Sequence, residues 1–249
     1  MNQKSRAVIF GDEAAAYDRH RPRYPTEALD HVLGLTEVTK AVEIGAGTGI
    51  ATADMSRPGL EILCLEPSAE MANILDSREL AGVRVEVTTF EDWDGAGGEI
   101  DLIYAAQAWH WVDPETSYAK ARGTLRSGGA IGLMWNVPLH RYEQFRSVYE
   151  DHAPTILAEN DRRIQKRDGH GWEQELRGGG FRDVRVEVFD WGQELSAGDF
   201  CALHATYSDH MMLPDDQRAR LLTALQGAVV ESGGTATIDY QTRVFSGIV

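Results

Sequence analysis

Apolar residues recur along this chain with two periods. Between Lys40 and Trp135, short apolar runs alternate with stretches of helical spacing, which predicts strands separated by helices and hence a parallel sheet covered on both faces. The expected order is a strand at 40–45, a helix at 49–56 closed by Pro58-Gly59, a strand at 61–66 and a helix at 68–80. Ser68 is placed to cap that last helix, with Glu70 in its first turn. Val83-Arg-Val-Glu-Val87 alternates strictly and reads as a strand near the sheet edge. Ile100–Ala106 and Ala130–Trp135 are continuously apolar, as central strands are, with a helix at about 113–126 between them.

The flanks read differently. Residues 1–10 show no periodicity. Asp12–His20 is helical in composition, Arg21-Pro-Arg-Tyr-Pro25 breaks it, and Thr26 can cap a second helix to about Leu33. Beyond Trp135 the residues 140–170 mix acids and bases as solvated helices do. Trp172–Arg177 reads as a helix ended by Gly178-Gly-Gly180, and Val184-Arg-Val-Glu-Val188 as another alternating strand. Pro214-Asp-Asp216 opens an amphipathic helix that carries Leu221, Leu222, Leu225, Ala228 and Val229 on one side. Thr235–Phe245, rich in β-branched and aromatic residues, reads as a last strand.

The chain has 249 residues, enough for one large α/β domain with decorations, and it shows no repeat or linker. Its formal charge of −15 works against a nucleic-acid partner and favours a small or weakly charged substrate. The two cysteines, Cys64 and Cys201, make a disulfide framework improbable and point to a reducing compartment. Met1–Arg6 carries no signal-peptide pattern, and no apolar run approaches the ~20 residues needed to span a bilayer. The cytoplasm is the expected location, and no membrane partner is expected. The histidines lack metal spacing, so no metal site is expected.

The candidate chemistry centres on Ala41-Val-Glu-Ile-Gly-Ala-Gly-Thr-Gly49. Three glycines at alternate positions after an apolar run mark a strand that turns tightly into a helix, where a ligand approaches the backbone. Glu66 follows the next strand about 20 residues on, where nucleoside-binding α/β folds place an acid for the ribose hydroxyls. Gly45-x-Gly47-x-Gly49 differs from the loop that wraps a pyrophosphate, so a ligand without phosphates fits better. Ligands of such sheets lie beyond the carboxyl ends of the strands, which gathers Gly45–Gly49, Glu66, the 88–92 loop and the 105–111 loop around one crevice.

These motifs resemble those of the class I S-adenosylmethionine-dependent methyltransferases. Glu43–Gly49 is similar to their first motif, Leu65-Glu-Pro-Ser68 to the acidic end of their second strand, and Leu125–Ile131 to the loop entering their fifth. Tyr17-x-x-x-Arg21-Pro22-x-Tyr24-Pro25 and Ala106–Pro114 resemble a small-molecule subfamily that includes relatives of trans-aconitate methyltransferase. The resemblance implies a Rossmann-like, doubly wound α/β fold of seven strands, mostly parallel with an antiparallel last strand, plus helical caps. It implies a single domain over 1–249. Residues 11–34 would be a helical lid, 40–136 the cofactor-binding core, 137–170 and 191–234 cap insertions, and 171–190 with 235–246 the closing helix and strands.

The implied cofactor is S-adenosylmethionine and the implied partner a small-molecule methyl acceptor. By the same resemblance Tyr17, Arg21 and Tyr24 face the cofactor, Glu43 and the backbone of Gly45, Gly47 and Gly49 hold its methionyl part, and Glu66 takes the ribose. Pro67 and Met71 pack near the adenine, Phe90 and Glu91 meet its edge, and Ala105 and Gln107 also belong to the cofactor site. Tyr17, Tyr24 and Trp109 could also offer aromatic faces to a sulfonium. Trp135, Asn136, His140 and Arg141 are candidates for the acceptor side. His110, between two tryptophans past the fourth strand, is the candidate catalytic residue, as a general base toward the acceptor or as a structural residue that fixes the loop. Two other readings stand beside the methyltransferase: a nicotinamide-dependent oxidoreductase, and a non-catalytic protein that binds the same cofactor.

Overall fold

A computed structural model of the chain describes residues 14–95, 97–140, 142–159 and 170–249. Its axis is β1 (Lys40–Ile44), whose burial is complete after the first residue. On one side lie β2 (Glu61–Leu65) and β3 (Val83–Glu86), on the other β4 (Ile100–Ala106), β5 (Leu125–Pro138), β7 (Thr235–Ile248) and β6 (Arg182–Ser196). The seven-stranded order is β3-β2-β1-β4-β5-β7-β6. β1 to β5 pair in parallel, and β7 runs antiparallel to both β5 and β6. The strand order reverses between β1 and β4, so their carboxyl ends part and leave a crevice.

Helices α1 (Ala14–His20) and α2 (Thr26–Leu33) precede the sheet. Crossovers α3 (Ile50–Met55), α4 (Ala69–Asp76) and α5 (Ser117–Thr124) follow β1, β2 and β4. α2, α3 and α4 cover one face around Leu29, Met55, Leu75 and Tyr104. α5 and α7 (His170–Gly178) cover the other around Ile103, Tyr118, Ile131 and Leu176. Between β3 and β4 the described residues contain no helix.

A third apolar core joins α6 (Arg146–His152), α8 (Ala197–Ala205) and α10 (Asp215–Glu231) to the far ends of β6 and β7, and α9 (Ser208–Met211) meets it through His210, whose ring lies against Tyr149. Leu221, Leu225 and Val229 of α10 are fully buried there, at about 1.5–3 kcal/mol each. No helix of the described residues is long and apolar enough to cross a membrane.

Several boundaries move. Ser68 caps α4 as expected, accepting from Met71 N at 3.4 Å, but Thr26 lies inside α2, with Pro25 at the N-cap position and no side-chain cap. The helix expected at 113–126 is shorter, because Asp113 turns the chain instead, accepting from Glu115 N at 3.0 Å. β6 continues to Ser196, past Val188 where the alternating run ends and past the expected start of the second cap at 191, because its pairing with β7 is unbroken from Arg185 to Ser196. Residues 1–13, Arg141 and the 160–169 part of the expected first cap lie outside the described residues.

Candidate functional site

The crevice is built from the end of β1 upward. In the sheet register Glu43 stands beside Cys64 on β2 and Tyr104 on β4, and its side chain is 1% exposed. Tyr104 Oη donates to Glu43 Oε2 at 2.8 Å, and Thr52 Oγ1, from the first turn of α3, donates to the same oxygen at 2.5 Å. Cys64 Sγ lies 3.8 Å away. Burial pushes the Glu43 carboxyl up to about 7; the Thr52, Tyr104 and Cys64 donors oppose that shift, and nearby Glu66 adds to it. The result is a buried acid that titrates near neutrality and is stabilised in its charged form by any cation in the crevice.

The three glycines divide their work. All have positive φ, at 65°, 60° and 84° for Gly45, Gly47 and Gly49. A Cβ on Gly45 would lie 2.5 Å from Ala108 Cβ, and one on Gly49 would lie 2.3 Å from Leu75 Cδ1. These two glycines let the turn pack against the β4 loop and α4. At Gly47 the nearest atom to such a Cβ is Met71 Sδ at 4.0 Å, so Gly47 alone leaves open space for a ligand. Its N–H donates to Glu66 Oε2 at 2.8 Å, while Ser68 N–H donates to Oε1 at 2.8 Å. Burial raises the Glu66 carboxyl, and these two bonds work against the rise. Each carboxylate oxygen retains acceptor capacity for a second donor.

The segment after α1 closes the crevice. Tyr17, Arg21, Pro22 and Tyr24 line it with Glu43, Gly45, Ala46, Gly47, Thr48, Ile50, Ala51, Ala106, Gln107 and Asn136. The Arg21 guanidinium lies between the Tyr17 ring at 4.7 Å and the Tyr207 ring at 4.9 Å, and donates to the Thr206 carbonyl at 2.7 Å. Arg21 thereby ties the N-terminal segment to the α8–α9 turn. Opposite it, Gln107 adopts a φ of 59° and donates to the Asn136 carbonyl at 2.9 Å. The Asn136 amide donates to Arg23 O at 3.0 Å and its Oδ1 accepts from Thr242 at 2.6 Å.

Two buried polar atoms on this wall, Arg21 Nε and Thr48 Oγ1, have no hydrogen-bond partner among the described residues. Buried polar atoms are seldom left so. Together with the space at Gly47 and the acid at Glu43, they fit a ligand with an anionic group at one end and a cationic centre beside it.

Of the residues expected from sequence, the structure therefore brings together Tyr17, Arg21, Tyr24, Glu43, Gly45, Gly47 and Gln107, with Met71 and Glu66 next to the glycine turn. Others are turned elsewhere. Phe90 is buried in the core against Trp93 and Trp109, and Glu91 accepts from Asp113 N at 2.8 Å and so fixes the loop after β4. Ala105 is fully buried within β4, and Pro67 is exposed. Trp109, with 2% exposure, packs on Tyr118 at 5.3 Å, so its ring serves the core and not the crevice.

His110 sits in one turn of 3₁₀ helix, Trp109–Trp111, and is exposed. Its ring packs on Trp111 at 4.7 Å, and Trp135 Nε1 approaches its Nδ1 at 3.5 Å. It stands on the loop that carries Gln107 but not on the crevice wall itself. Trp135 stacks on Trp172 at 4.6 Å, and His140 is exposed. Sequence reasoning did not single out Thr48, Thr52 or Tyr104. Tyr104 was detectable only as a polar group in an otherwise apolar strand, and its partner was not.

Residues 42–133 match the family described as a methyltransferase domain. An uncharacterized methyltransferase of Mycobacterium tuberculosis is 33% identical over 149 residues, covering 60% of this chain and 60% of its own. The chain thus spans 60% of the length of that relative. A probable S-adenosylmethionine-dependent methyltransferase of Saccharomyces cerevisiae is 25% identical over 193 residues, 71% of this chain and 66% of its own. Among solved structures, a putative type II methyltransferase from Anaeromyxobacter dehalogenans superposes with a TM-score of 0.67 at 18% identity, over 92% of this chain and 97% of that one; at that identity the likeness concerns the fold. The match to a methyltransferase domain falls on residues 42–133, the stretch that holds the parallel strands, the glycine turn and the acid after β2.

Proposed function

We propose that this protein is an S-adenosylmethionine-dependent methyltransferase that acts on a small-molecule metabolite at oxygen, nitrogen or carbon, within the subfamily related to trans-aconitate methyltransferase. The observation that supports it most is the open position at Gly47, flanked by the buried Glu43 carboxyl and the unpartnered Thr48 Oγ1 and Arg21 Nε. When bound, the cofactor supplies an electrophilic methyl on a sulfonium.

The chain's own residues bind and orient. Arg21 and Thr48 would hold the carboxylate end, Glu43 would face the cationic centre, and Glu66 would use its two free acceptor positions for the ribose hydroxyls. Met71, with Pro67 and the Phe90–Glu91 turn, would border the adenine, and Ala105 would support that wall from within β4. Tyr17, Pro22 and Tyr24 exclude water, which suits a transfer that depends on in-line placement more than on acid–base help. Asn136 on the wall, with Trp135, His140 and His110 beside it, would shape the acceptor side. His110 would take the acceptor's proton where the acceptor carries one.

In this reading one domain carries the N-terminal lid and both cap segments, works in the cytoplasm and has no nucleic-acid or membrane partner. Calorimetry with S-adenosylhomocysteine and with NAD tests the cofactor: micromolar binding of the first and none of the second is expected, and the reverse would make the chain an oxidoreductase. Transfer of radiolabelled methyl to a member of a metabolite panel tests the reaction. Tight cofactor binding without transfer to any metabolite, peptide or nucleic acid would leave only the non-catalytic reading.

A further inference from the structure

The two edges of the sheet carry the same five residues. β3 and the residue after it read Val83-Arg84-Val85-Glu86-Val87 at one end, and β6 contains Val184-Arg185-Val186-Glu187-Val188 at the other. The edges differ in what their charges do. On β3, Arg84 Nη2 lies 3.5 Å from Glu86 Oε1, so the two neutralise each other. On β6, neither Arg185 nor Glu187 has an ion-pair partner among the described residues.

β6 is also the longer edge, at 15 residues against 4. Edge strands are ordinarily guarded by shortness, bulges, lysine or proline, because their outward N–H and C=O groups template further pairing. β6 has a bulge only at its start, between Arg182 and Arg185, where Asp183 has a φ of 49°. From there to Ser196 it contains neither lysine nor proline. Val186 and Val188 are 37% and 47% exposed, and the two-residue period of a strand puts both on one face.

We propose that β6 is the contact strand of a homodimer, pairing antiparallel with β6 of a second copy about a two-fold axis through Val186. In that register Val186 meets its own counterpart, Val184 faces the partner's Val188, Arg185 faces the partner's Glu187 and Glu187 faces the partner's Arg185. Both charge pairs are complementary, and the valines of the two strands form one apolar strip. A slip of one residue sets charges against valines, and a slip of two sets Arg185 or Glu187 against itself, so the sequence specifies the register. The Val184 carbonyl also accepts from Arg177 Nη2 at 3.1 Å, which leaves its second lone pair for the ladder. The net charge of −15 on each copy opposes association at low salt, so the dimer should tighten as salt screens it.

Sedimentation equilibrium of the full chain at physiological ionic strength tests this. A dimer is expected, and Arg185→Glu or Val186→Lys should each weaken it at least tenfold with an unchanged circular-dichroism spectrum. The double exchange Arg185→Glu with Glu187→Arg should restore it, a rescue that mere destabilisation of β6 would not show. Arg84→Glu on the other edge should leave the dimer intact. A monomer at 100 µM, or a dimer untouched by Arg185→Glu and Val186→Lys, would overturn the proposal. So would species that grow without limit and are lost with Arg84→Glu, since those report a β3-to-β6 chain of copies in place of a closed pair.

Discussion

Tyr104 Oη donates to Glu43 Oε2 at 2.8 Å across two paired strands whose register sets the residues side by side. The bond holds a charge-capable group at the crevice wall in a surrounding that otherwise favours its neutral form. Tyr104→Phe should therefore destabilise the fold more at pH 8, where Glu43 is ionised, than at pH 5. About 1–3 kcal/mol is expected at the higher pH, and urea titration at the two pH values measures it. An equal loss at both would mean that Glu43 is uncharged throughout.

Glu43 itself sets a pH dependence. Its folded value of about 7 lies above the ~4.3 of an unfolded glutamate, so the folded chain holds this proton more tightly. The resulting stability is complete below pH ~4.3 and is lost as pH rises through 7. Glu43→Gln should thus melt higher than wild type at pH 8, by an amount on the order of 3 kcal/mol, with little difference at pH 4. Because the ionised form attracts a sulfonium, affinity for S-adenosylmethionine should rise with pH up to about 7 in wild type and stay flat in Glu43→Gln. Calorimetry across that range would expose a contrary slope.

Gly47→Val and Glu66→Ala probe the other side of the crevice. The valine would stand in the open space beside Met71 and should abolish binding of S-adenosylhomocysteine while leaving a folded protein, since no backbone or core atom blocks it. Its strain at positive φ should cost about 1–3 kcal/mol of stability. Glu66→Ala should weaken binding by roughly 1.5–3 kcal/mol per hydroxyl bond lost, and it also frees the Gly47 N–H. Wild-type affinity in either variant would remove that residue from the cofactor site.

His110→Ala should lower turnover by ~10²–10⁴ with unchanged affinity for S-adenosylhomocysteine if the imidazole is a general base. The wild-type rate should then rise with pH through an imidazole titration. Near-wild-type turnover, with a flat profile, would instead point to an acceptor already ionised at neutral pH, such as a carboxylate.

At the opposite end of the sheet Asp101 ties the start of β1 to β4 and β5. Its Oδ2 accepts from Thr39 N at 2.8 Å, Thr39 Oγ1 at 2.9 Å and Lys40 N at 2.9 Å, and Arg126 Nε donates to its Oδ1. Burial alone would raise this carboxyl, but the Arg126 guanidinium and the backbone donors hold it well below the usual range. Its contribution is therefore full above the unfolded value of ~3.9 and is lost as pH falls through the folded one. Asp101→Asn should lower stability at pH 7 by about 1.5–3 kcal/mol and flatten the acid limb of the stability profile, which thermal melts from pH 2 to 7 would reveal.

What the sequence determined by itself was the local and the periodic. Apolar runs of strand length, separated by helical spacing, dictated the parallel core through β5, and the three glycines with Glu43 and Glu66 marked the tight turn at its crevice, because backbone conformation and period-two burial are written in neighbouring residues. The long antiparallel end of the sheet was legible only as two alternating runs, since continuation of β6 to Ser196 depends on its pairing with β7 and not on its own composition. Tertiary structure alone decided that Gly45 and Gly49 are packed against their neighbours while Gly47 faces open space, for that depends on what Ala108, Leu75 and Met71 bring opposite them. It likewise placed Cys64 and Tyr104 on either side of Glu43, turned Phe90 and Trp109 into the core, and set Arg21 against Tyr207. Each of these is a contact between residues far apart in the chain, fixed by strand register and helix docking, and no local pattern encodes it.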